Sequence, residues 1–401
     1  MLVKAVSDFL VLIGVAAALI TLPGSIELLL LTISGIFPIR KHKYQTEHGQ
    51  KARLAVVVPA HNEENGIAQS VKSLLSCAAH EATFDIVIIA DNCSDATAER
   101  AASAGARVLT RRNAELRGKG YTLDFAFSSL LPEGYDGFIV VDADTVVQSN
   151  LIDEVVRLFR SGADAVQCCY GVRNVDSSIR TSWMNVAFMA FNSLRPRGRE
   201  NLSLSAGILG NGFALKAQTL RAVSYQTKTI DEDLEYHLLL VRAGFRVRFT
   251  DQTAVFGEMP AQGKGVITQR ARWEGGRFRL IKDFSPKLLT DVFQGKLWLI
   301  EPLLELLLLP LSFHIGLLML VVIQPIFWLR AFGLFCLSLV AIHLIAALWV
   351  GRAGMRDVLA LFLAPFYIVW KLTMLRKVLQ SAKREAEWVR TERNTARKKV
   401  N

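Results

Sequence analysis

Cysteines and histidines with the spacing of a zinc site are missing from this sequence of 401 residues. Three of the five cysteines stand apart, at Cys77, Cys93 and Cys336, and only Cys168 and Cys169 are adjacent. This absence argues against a zinc-binding module. We therefore expect free thiols on the reducing, cytoplasmic side of a membrane.

Internal repeats and low-complexity linkers are absent as well, and acidic charge is in the minority. The chain has 47 Lys and Arg against 36 Asp and Glu, which gives a net charge of +11. Its mean hydropathy of +0.30 is compatible with 21% charged residues only if the apolar residues are concentrated in blocks. Much of the basic excess flanks those blocks. This indicates anionic lipid headgroups, and no nucleic acid, as the partner of the basic residues.

The first apolar block extends from Phe9 to Phe37 and carries Glu27 as its single charge. It is long enough to span a bilayer. A signal peptide would be shorter and would end at a clear cleavage site. The basic run from Arg40 to Lys43 places this end in the cytoplasm by the positive-inside rule. We predict an N-terminal transmembrane anchor over residues 1–43, with the N-terminus outside.

Two further apolar blocks lie near the C-terminus. Residues 297–328 are apolar apart from Glu301 and Glu305 near the start, so we expect a span to begin near Leu303. Residues 331–350 form the second block, and only two residues separate it from the first. The two blocks predict a tight transmembrane hairpin.

This hairpin is assigned to residues 286–356, and residues 357–401 are assigned to an interfacial or re-entrant segment and a basic cytoplasmic tail. A third span in the last region would carry the Lys- and Arg-rich tail outside, against the positive-inside rule. The sequence therefore predicts a multi-pass protein of the inner (plasma) membrane.

Between the membrane segments, over residues 44–285, short apolar runs alternate with helical stretches. This alternation is typical of an α/β domain. The predicted strands cover residues 54–58, 85–90, 107–110, 138–141, 163–171, 245–250 and 254–258. In open α/β sheets, ligands bind at the carboxyl ends of the parallel strands.

The strand 138–141 ends directly on Asp142-Ala143-Asp144. Two carboxylates at that edge suit Mg²⁺ or Mn²⁺ bound together with the phosphates of a nucleotide. A solvated pair of aspartates in a turn is the alternative. The metal site is favoured only if the chain also supplies a nucleotide pocket, a base and an acceptor site.

Other polar loops fall where such a sheet forms its cleft, and they contain Glu63, Asp91, Lys119, Asp231 and Asp233. Each of the acids taken alone fits an ordinary helix cap or a solvated loop. Together these loops predict one cleft at the carboxyl edge of the sheet.

These motifs, in this order, resemble those of the inverting, membrane-integrated family 2 glycosyltransferases. That group includes the poly-N-acetylglucosamine, hyaluronan, chitin and cellulose synthases. The resemblance covers roughly residues 54–277 and implies a GT-A fold, a Rossmann-like nucleotide-sugar domain in the cytoplasm with transmembrane helices on both flanks. The motifs that carry it are Val56–Glu63, Asp91–Thr97, Gly118–Gly120, Asp142–Asp144, Glu232-Asp233 and Gln269–Trp273.

For the donor, the resemblance implies that Pro59, His61, Glu63 and Asp91 cradle the uracil and ribose of a UDP-sugar. His61 stands where many members carry Tyr. Lys119, in its Gly-Lys-Gly loop, is expected to approach the nucleotide or its diphosphate. A solvated loop lysine is the alternative.

For the metal, the resemblance implies that Asp144 is the principal ligand of Mg²⁺ or Mn²⁺ and that Asp142 binds the metal or the nucleotide. A divalent cation there neutralises the charge that develops on the UDP leaving group.

Asp233, paired with Glu232, is the general base that the resemblance implies. A sugar hydroxyl is a poor nucleophile, so a carboxylate must accept its proton as it attacks the anomeric carbon. One displacement from the opposite face gives a β-linkage from an α-linked donor. By chemistry alone, Asp231 is an alternative candidate for the base, and the Glu-Asp pairing of the family favours Asp233.

Gln269, Arg272 and Trp273 are implied to form the acceptor end, because Trp stacks on sugar rings and Arg pairs with diphosphate. The alternative is a membrane-proximal amphipathic helix with a basic face and an interfacial Trp.

The sequence thus predicts transfer of a hexose or N-acetylhexosamine from a UDP-sugar to a polysaccharide or a lipid-linked acceptor. The few membrane segments are short for a self-contained secretion channel. This favours either a glycolipid product or help from a secretion partner or a second copy. A nucleotidyltransferase and a catalytically inactive membrane scaffold are the alternatives from other classes.

Overall fold

The structure, a computed structural model, describes residues 2–40, 50–227, 229–260 and 265–363, with side chains from residue 8 onward except at 265–275. The strands are β1 Ala52–Ala60, β2 Ala82–Asp91, β3 Arg107–Arg111, β4 Gly137–Val140, β5 Val146–Val147, β6 Ala165–Val172, β7 Phe213–Lys216 and β8 Val247–Gly257. The α-helices are α1 Leu2–Gly35, α2 Ile67–Leu75, α3 Thr97–Ser103, α4 Lys119–Leu130, α5 Leu151–Arg160, α6 Ile179–Phe188, α7 Arg195–Asn201, α8 Ala217–Ala222, α9 Glu232–Arg242, α10 Gly265–Phe293, α11 Ile300–Leu307, α12 Leu311–Val322, α13 Phe327–Val350 and α14 Met355–Phe362.

The described strands form one mixed sheet in the order β3-β2-β1-β4-β7-β6-β8-β5. Strand β1 is parallel to both β2 and β4, and β2 is parallel to β3. Strand β7 is antiparallel to β4 and β6. The α/β class that the sequence predicts is confirmed.

Strand β8 is continuous where the sequence predicts two strands separated at residues 251–253. It pairs in parallel with β6, and the register jumps there. Cys168 lies opposite Thr250, whereas Cys169 lies opposite Ala254. The prediction of two strands is wrong because the polar break in the pattern marks a bulge rather than a strand end.

The core lies on both faces of the sheet, and strand β1 shows how. Leu54, Val56 and Val58 pack into the cluster that includes α2 and α5. Ala55 and Val57 pack into the cluster on the other face, with α4 and α9. Parallel strands covered on both faces read as continuous apolar runs, which is why the sequence identified β1 so easily.

Two described helices are long and apolar enough to cross a membrane, α1 over Asp8–Gly35 and α13 over Phe327–Val350. The span predicted to begin near Leu303 is broken, since α11 and α12 meet at an angle of 79°. Pro310 lies at the break, where it has no N–H to donate and its ring excludes a continuous helix. If α11 and α12 together cross the membrane as one broken span, the described residues contain three crossings.

Helix α1 packs directly on α7 of the sheet domain. A Cβ on Gly198 would lie 2.5 Å from the backbone oxygen of Leu31. Ser34 Oγ donates to the backbone oxygen of Gly198 (3.1 Å), and Asn201 Nδ2 donates to the backbone oxygen of Ser34 (2.9 Å). The apolar helix α1 is therefore joined to the sheet domain by close backbone contact.

Of the region predicted as interfacial or re-entrant, residues 357–363 are described, and the remainder with the basic tail lies outside the described residues. Helix α14 is too short to span a bilayer and packs on α6. Trp183 Nε1 donates to the backbone oxygen of Ala360 (2.8 Å), and Asn185 Nδ2 donates to Asp357 (2.9 Å). The described part of this segment is thus packed against α6.

Candidate active site

The loops that follow β1 and β2 are held together as one unit at the carboxyl edge of the sheet. His61 Nδ1 lies 2.7 Å from the backbone oxygen of Asp91. The backbone N–H of Glu63 donates to Thr97 Oγ1 (2.7 Å), and that of Ser94 donates to Asn62 Oδ1 (2.8 Å). The structure therefore brings together the residues that the sequence predicts for the nucleotide, with Pro59 at the end of β1 beside them.

Asp91 itself is buried, and its carboxylate is engaged by the protein. Arg111 Nη1 lies 2.6 Å from Oδ1, and Thr122 Oγ1 donates to Oδ2 at 3.0 Å. The pair with Arg111 links β2 to β3, and the bond from Thr122 links β2 to α4. Asp91 thus holds the shape of the cleft wall, a contribution that the sequence analysis did not identify.

Asp142 and Asp144 follow β4 in a tight turn, in which the backbone N–H of Thr145 donates to the oxygen of Asp142 (3.1 Å). Both side chains are partly exposed at the cleft. The described residues form no group of three or more metal-binding side chains. Two carboxylates nevertheless fit Mg²⁺ or Mn²⁺, because such ions take their remaining oxygens from water and substrate phosphates.

Lys119, the first residue of α4, reaches across to this turn. Its Nζ lies 2.5 Å from Asp142 Oδ1 and also donates to the backbone oxygen of Gly210. Burial lowers the pKa of the Lys119 ammonium, but the carboxylates of Asp142, Glu232 and Asp233 raise it by more. The lysine is therefore charged and directed into the cleft, and it is not a solvated loop residue.

A buried amide network holds this turn in place, and sequence reasoning missed it. Asn211 is fully buried; its Oδ1 accepts from the backbone N–H of Asp142 (3.1 Å) and its Nδ2 donates to Thr145 Oγ1 (2.8 Å). Gln167 in turn donates to the backbone oxygen of Asn211 (2.8 Å) and accepts from the N–H of Leu209. A polar residue between two glycines, Gly-Asn-Gly, was the available signal.

The acidic first turn of α9 completes the cluster. Asp233 Oδ1 accepts from the backbone N–H of Leu234 (2.9 Å), and a Cβ on Gly210 would lie 2.8 Å from Oδ2. Burial raises the pKa of the Asp233 carboxyl above its ordinary value, although the Leu234 N–H and the Lys119 ammonium oppose the shift. A raised pKa suits a group that must take up a proton.

Glu232 and Asp231 occupy different surroundings from Asp233. Glu232 packs against Gly120: a Cβ added to Gly120 would lie 3.2 Å from the Cβ of Glu232. Asp231 is buried, and a Cβ on Gly276 of α10 would overlap its carboxylate. Of the two candidate bases, Asp233 lies beside Lys119 and the Asp142 turn, whereas Asp231 lies against α10.

The predicted acceptor residues Gln269, Arg272 and Trp273 lie on α10, whose backbone is described in this part while the side chains fall outside the described residues. Gly276 follows Trp273 by less than one helical turn, and its contact with Asp231 brings α10 to the start of α9. The structure thus places Gly276, three residues after this motif, against Asp231, the residue that precedes α9.

Residues 52–276, more than half of the chain, match the family described as Glycosyltransferase like family 2. The chain therefore belongs to the family 2 glycosyltransferases. It is similar to a mannosyltransferase from Pyrobaculum calidifontis solved with GDP-mannose and Mn²⁺, at a TM-score of 0.52 and 14% identity over 94% of this chain and 97% of that one. This likeness confirms the GT-A fold.

Among curated proteins, the chain is 24% identical over 251 residues to the probable glycosyltransferase YdaM of Bacillus subtilis. It is 28% identical over 282 residues to the beta-monoglucosyldiacylglycerol synthase of Trichormus variabilis. These matches cover 60% and 67% of this chain, and 59% of each relative. The chain thus spans about three fifths of the length of the curated relatives that it matches.

Proposed function

We propose that the protein is a membrane-bound inverting glycosyltransferase that moves a hexose or N-acetylhexosamine from a UDP-sugar to a lipid-linked acceptor. The observation that carries the proposal is the meeting of Lys119, Asp142 and Asp233 at the carboxyl edge of the sheet. One cationic group, one metal-type carboxylate and one carboxyl of raised pKa are the components that the reaction needs.

In the proposed mechanism, the paired loops after β1 and β2 hold the uracil and ribose against Pro59, His61 and Glu63. The Lys119 ammonium moves from Asp142 to the diphosphate and offsets its charge. Asp142 and Asp144 would hold Mg²⁺ or Mn²⁺, which neutralises negative charge on the departing UDP.

Asp233 accepts the proton of the acceptor hydroxyl as that oxygen attacks the anomeric carbon and the bond to UDP breaks. The attack comes from the face opposite the leaving group, so the product is a β-glycoside. Asp233 is proposed over Asp231 because it faces the cleft, whereas Asp231 packs on α10.

Three observations support a lipid-linked acceptor over a secreted polymer. The described residues include two helices that could span a membrane, or three if the bent pair is one span. After α10 and a 3₁₀ turn at Leu297–Leu299, the chain enters the apolar α11, so the predicted acceptor motif leads towards the apolar segments. One relative is named as a synthase of a glucosyl-diacylglycerol. We further propose that the sheet domain faces the cytoplasm.

The test is UDP release by the full-length protein in lipid nanodiscs, with a panel of UDP-sugars and diacylglycerol as acceptor. We expect one donor to give a single-addition glycolipid, and we expect EDTA to remove the activity and Mn²⁺ to restore it. If no UDP-sugar released UDP, and UTP with a sugar 1-phosphate instead released pyrophosphate, a nucleotidyltransferase would be favoured. A long polymer would overturn the single-addition proposal, and GDP-mannose as the preferred donor would overturn the UDP assignment.

The variant Asp233→Asn should lower kcat by ~10³-fold, since general bases contribute about 10²–10⁴. UDP binding, measured by calorimetry, should be retained. Asp231→Asn is the comparison. If Asp231→Asn lost more activity than Asp233→Asn, the base would have to be reassigned.

A further inference from the structure

Six charged side chains converge where α1, α7, α10 and α11 meet, away from the nucleotide loops. Three are acids from apolar segments, and three are arginines from the sheet domain and α10. The members are Glu27, Glu301, Glu305, Arg195, Arg199 and Arg277. Their formal charges cancel, and nothing in the proposed mechanism uses them.

Arg199 is the centre of this cluster and is 1% exposed. Its Nη2 lies 2.6 Å from Glu27 and 2.8 Å from Glu301, and its Nη1 lies 2.5 Å from Glu305. Arg195 also contacts Glu27, at 2.7 Å. Removing one member of such a buried cluster leaves an uncompensated charge, which forces the surrounding elements to shift.

One route leads from Arg199 to α9 through Ser205. Arg199 Nη1 donates to the backbone oxygen of Ser205 (3.4 Å), and Ser205 Oγ lies 2.8 Å from His237 Nε2. Ser205 Oγ accepts from the N–H of Val247 (3.1 Å), so its own proton is free to be donated to the histidine. Burial lowers the pKa of His237 to about 4, so its imidazole is neutral. His237 lies one turn after Asp233.

A second route leads from Arg199 through α10 to the N-terminus of α9. Glu305, the partner of Arg199, accepts a hydrogen bond from Arg277 at its backbone oxygen. Gly276, the neighbour of Arg277, is the residue that packs on Asp231. Two chains of contacts therefore connect Arg199 with α9, one at His237 within the helix and one at Asp231 at its N-terminus.

We propose that Arg199 is a positioning residue that fixes α9 and α10 relative to the N-terminal membrane helix, with Glu27 as its partner there. This inference rests on the proposed function for its kinetic consequence only. Helix α1 is then a part of the active-site framework and not simply an anchor. It sets the position of Asp233 with respect to the membrane from which the acceptor arrives.

The test uses Arg199→Met, Glu27→Gln and the double variant in the full-length protein in nanodiscs. UDP-binding sites are counted by calorimetry, so that kcat is expressed per folded site. We expect kcat per site to fall ~100-fold in each single variant, because small misplacements of a catalytic group have effects of this size. The affinity for UDP should not change, since the nucleotide loops do not contact the cluster.

Two further comparisons make the result specific. The double variant should lose no more than the worse single variant, because the two residues act through each other. Arg199→Lys keeps the positive charge but loses the forked geometry of the guanidinium, so it should retain part of the kcat that Arg199→Met loses. If Arg199→Met does not fold, Arg199→Lys takes its place in the comparison.

The matched control is Glu200→Gln, in the next position of α7. Glu200 is equally buried and pairs with Arg246 (2.8 Å) and Arg248 (2.6 Å), which lie outside α1, α9, α10 and α11. Its variant should be less stable, but should keep kcat per UDP-binding site. Equal losses of kcat per site in Glu200→Gln and Arg199→Met, or wild-type kcat per site in folded Arg199→Met, would overturn the proposal.

Hydrogen–deuterium exchange separates this proposal from the proposed function. Amide exchange in residues 232–242 should increase in Arg199→Met and in Glu27→Gln, and should not increase in Glu200→Gln. Unchanged exchange in the first two variants would refute the coupling even if the enzyme is active. If the wild type transfers no sugar, the proposed function fails, and the exchange data still decide whether Arg199 positions α9.

Discussion

The proposed nucleotide side of the cleft, formed by the loops after β1 and β2, and its proposed acceptor side, formed around Arg199 by α1, α7, α10 and α11, are built in different ways. On the nucleotide side, the fixing contacts join residues close in the chain, such as His61 with Asp91 and Arg111 with Asp91, at separations of 30 and 20 residues. On the acceptor side, Arg199 joins Glu27 and Glu305 across 172 and 106 residues. The contacts of the first side join nearby parts of the chain, whereas those of the second depend on how the apolar helices pack on the sheet domain.

This difference implies that substitutions on one side can impair its function while the other side keeps its own. Changes on the acceptor side should remove transfer while donor binding survives. Changes in the nucleotide loops should act on donor binding first. Substitutions can separate the two sides, beginning with the position at which they meet.

Among the substitutions that separate the two sides, the largest effect is expected at Gly210. Its backbone oxygen contacts Lys119, and its missing side chain leaves room for Asp233. A Cβ there would lie 2.8 Å from Asp233 Oδ2, and φ is +80°. Gly210→Ala should lower kcat by ~100-fold by displacing the base. Gly134→Ala is the control, because Gly134 has the same φ of +80° and a Cβ added there would have no neighbouring atom within 4 Å.

Both substitutions should cost about 1–2 kcal/mol of stability from backbone strain. Steady-state kinetics and thermal unfolding together distinguish strain from displacement of the base. Equal kcat in the two variants would mean that the space beside Asp233 has no catalytic importance.

The second prediction concerns the crossing of α1 and α7. Gly198→Ala should lower the free energy of unfolding by about 2 kcal/mol, because overpacking at a close backbone contact has this order of cost. The Cβ would lie 2.5 Å from the oxygen of Leu31, whereas Gly66→Ala introduces a Cβ with no neighbour within 4 Å. Thermal unfolding in nanodiscs measures the difference.

At temperatures where the Gly198→Ala protein is still folded, UDP binding should equal that of the wild type. Loss of UDP binding in parallel with stability would show that the two sides of the cleft are not independent.

The smallest effect is a shift in the pH profile of kcat/KM. Asp233 must be unprotonated to act, so activity is full above its pKa and is lost as pH falls through it. Burial raises that pKa, so the loss should begin at a higher pH than for an ordinary aspartate of pKa ~3.9.

The Lys119 ammonium lowers the pKa of Asp233, so Lys119→Met should move the acid limb to still higher pH. Arg117→Met changes an exposed cation in the same loop and should leave the limb in place. A limb that moves to lower pH in Lys119→Met would contradict the assignment of Asp233 as the titrating base.

The fold class followed from the sequence because each buried parallel strand is a local apolar run. The run at residues 54–58 is fully buried in the structure, as the pattern predicts. The bulge opposite Cys168 and Cys169 was not predictable. A break of three polar residues looks the same in the sequence whether the strand ends there or continues through a bulge.

For the candidate site, the sequence placed carboxylates at strand ends, and parallel strands necessarily bring those ends to one edge. It did not reveal that Asp91 pairs with Arg111, or that Asn211 holds the Asp142 turn. Those contacts depend on side-chain directions in the folded sheet. The roles of the individual site residues remain predictions.

The sequence by itself determined the α/β sheet domain, the apolar segments on both flanks and the membership in family 2. The hydrophobic pattern and the order of the motifs can both be read directly along the chain. The tertiary structure alone decided which charges meet. Glu27, Glu301 and Glu305 are isolated acids in apolar runs until the helices cross, and then they surround Arg199. A buried charge is stable only beside its partner, and that partner is chosen by helix docking rather than by nearby sequence.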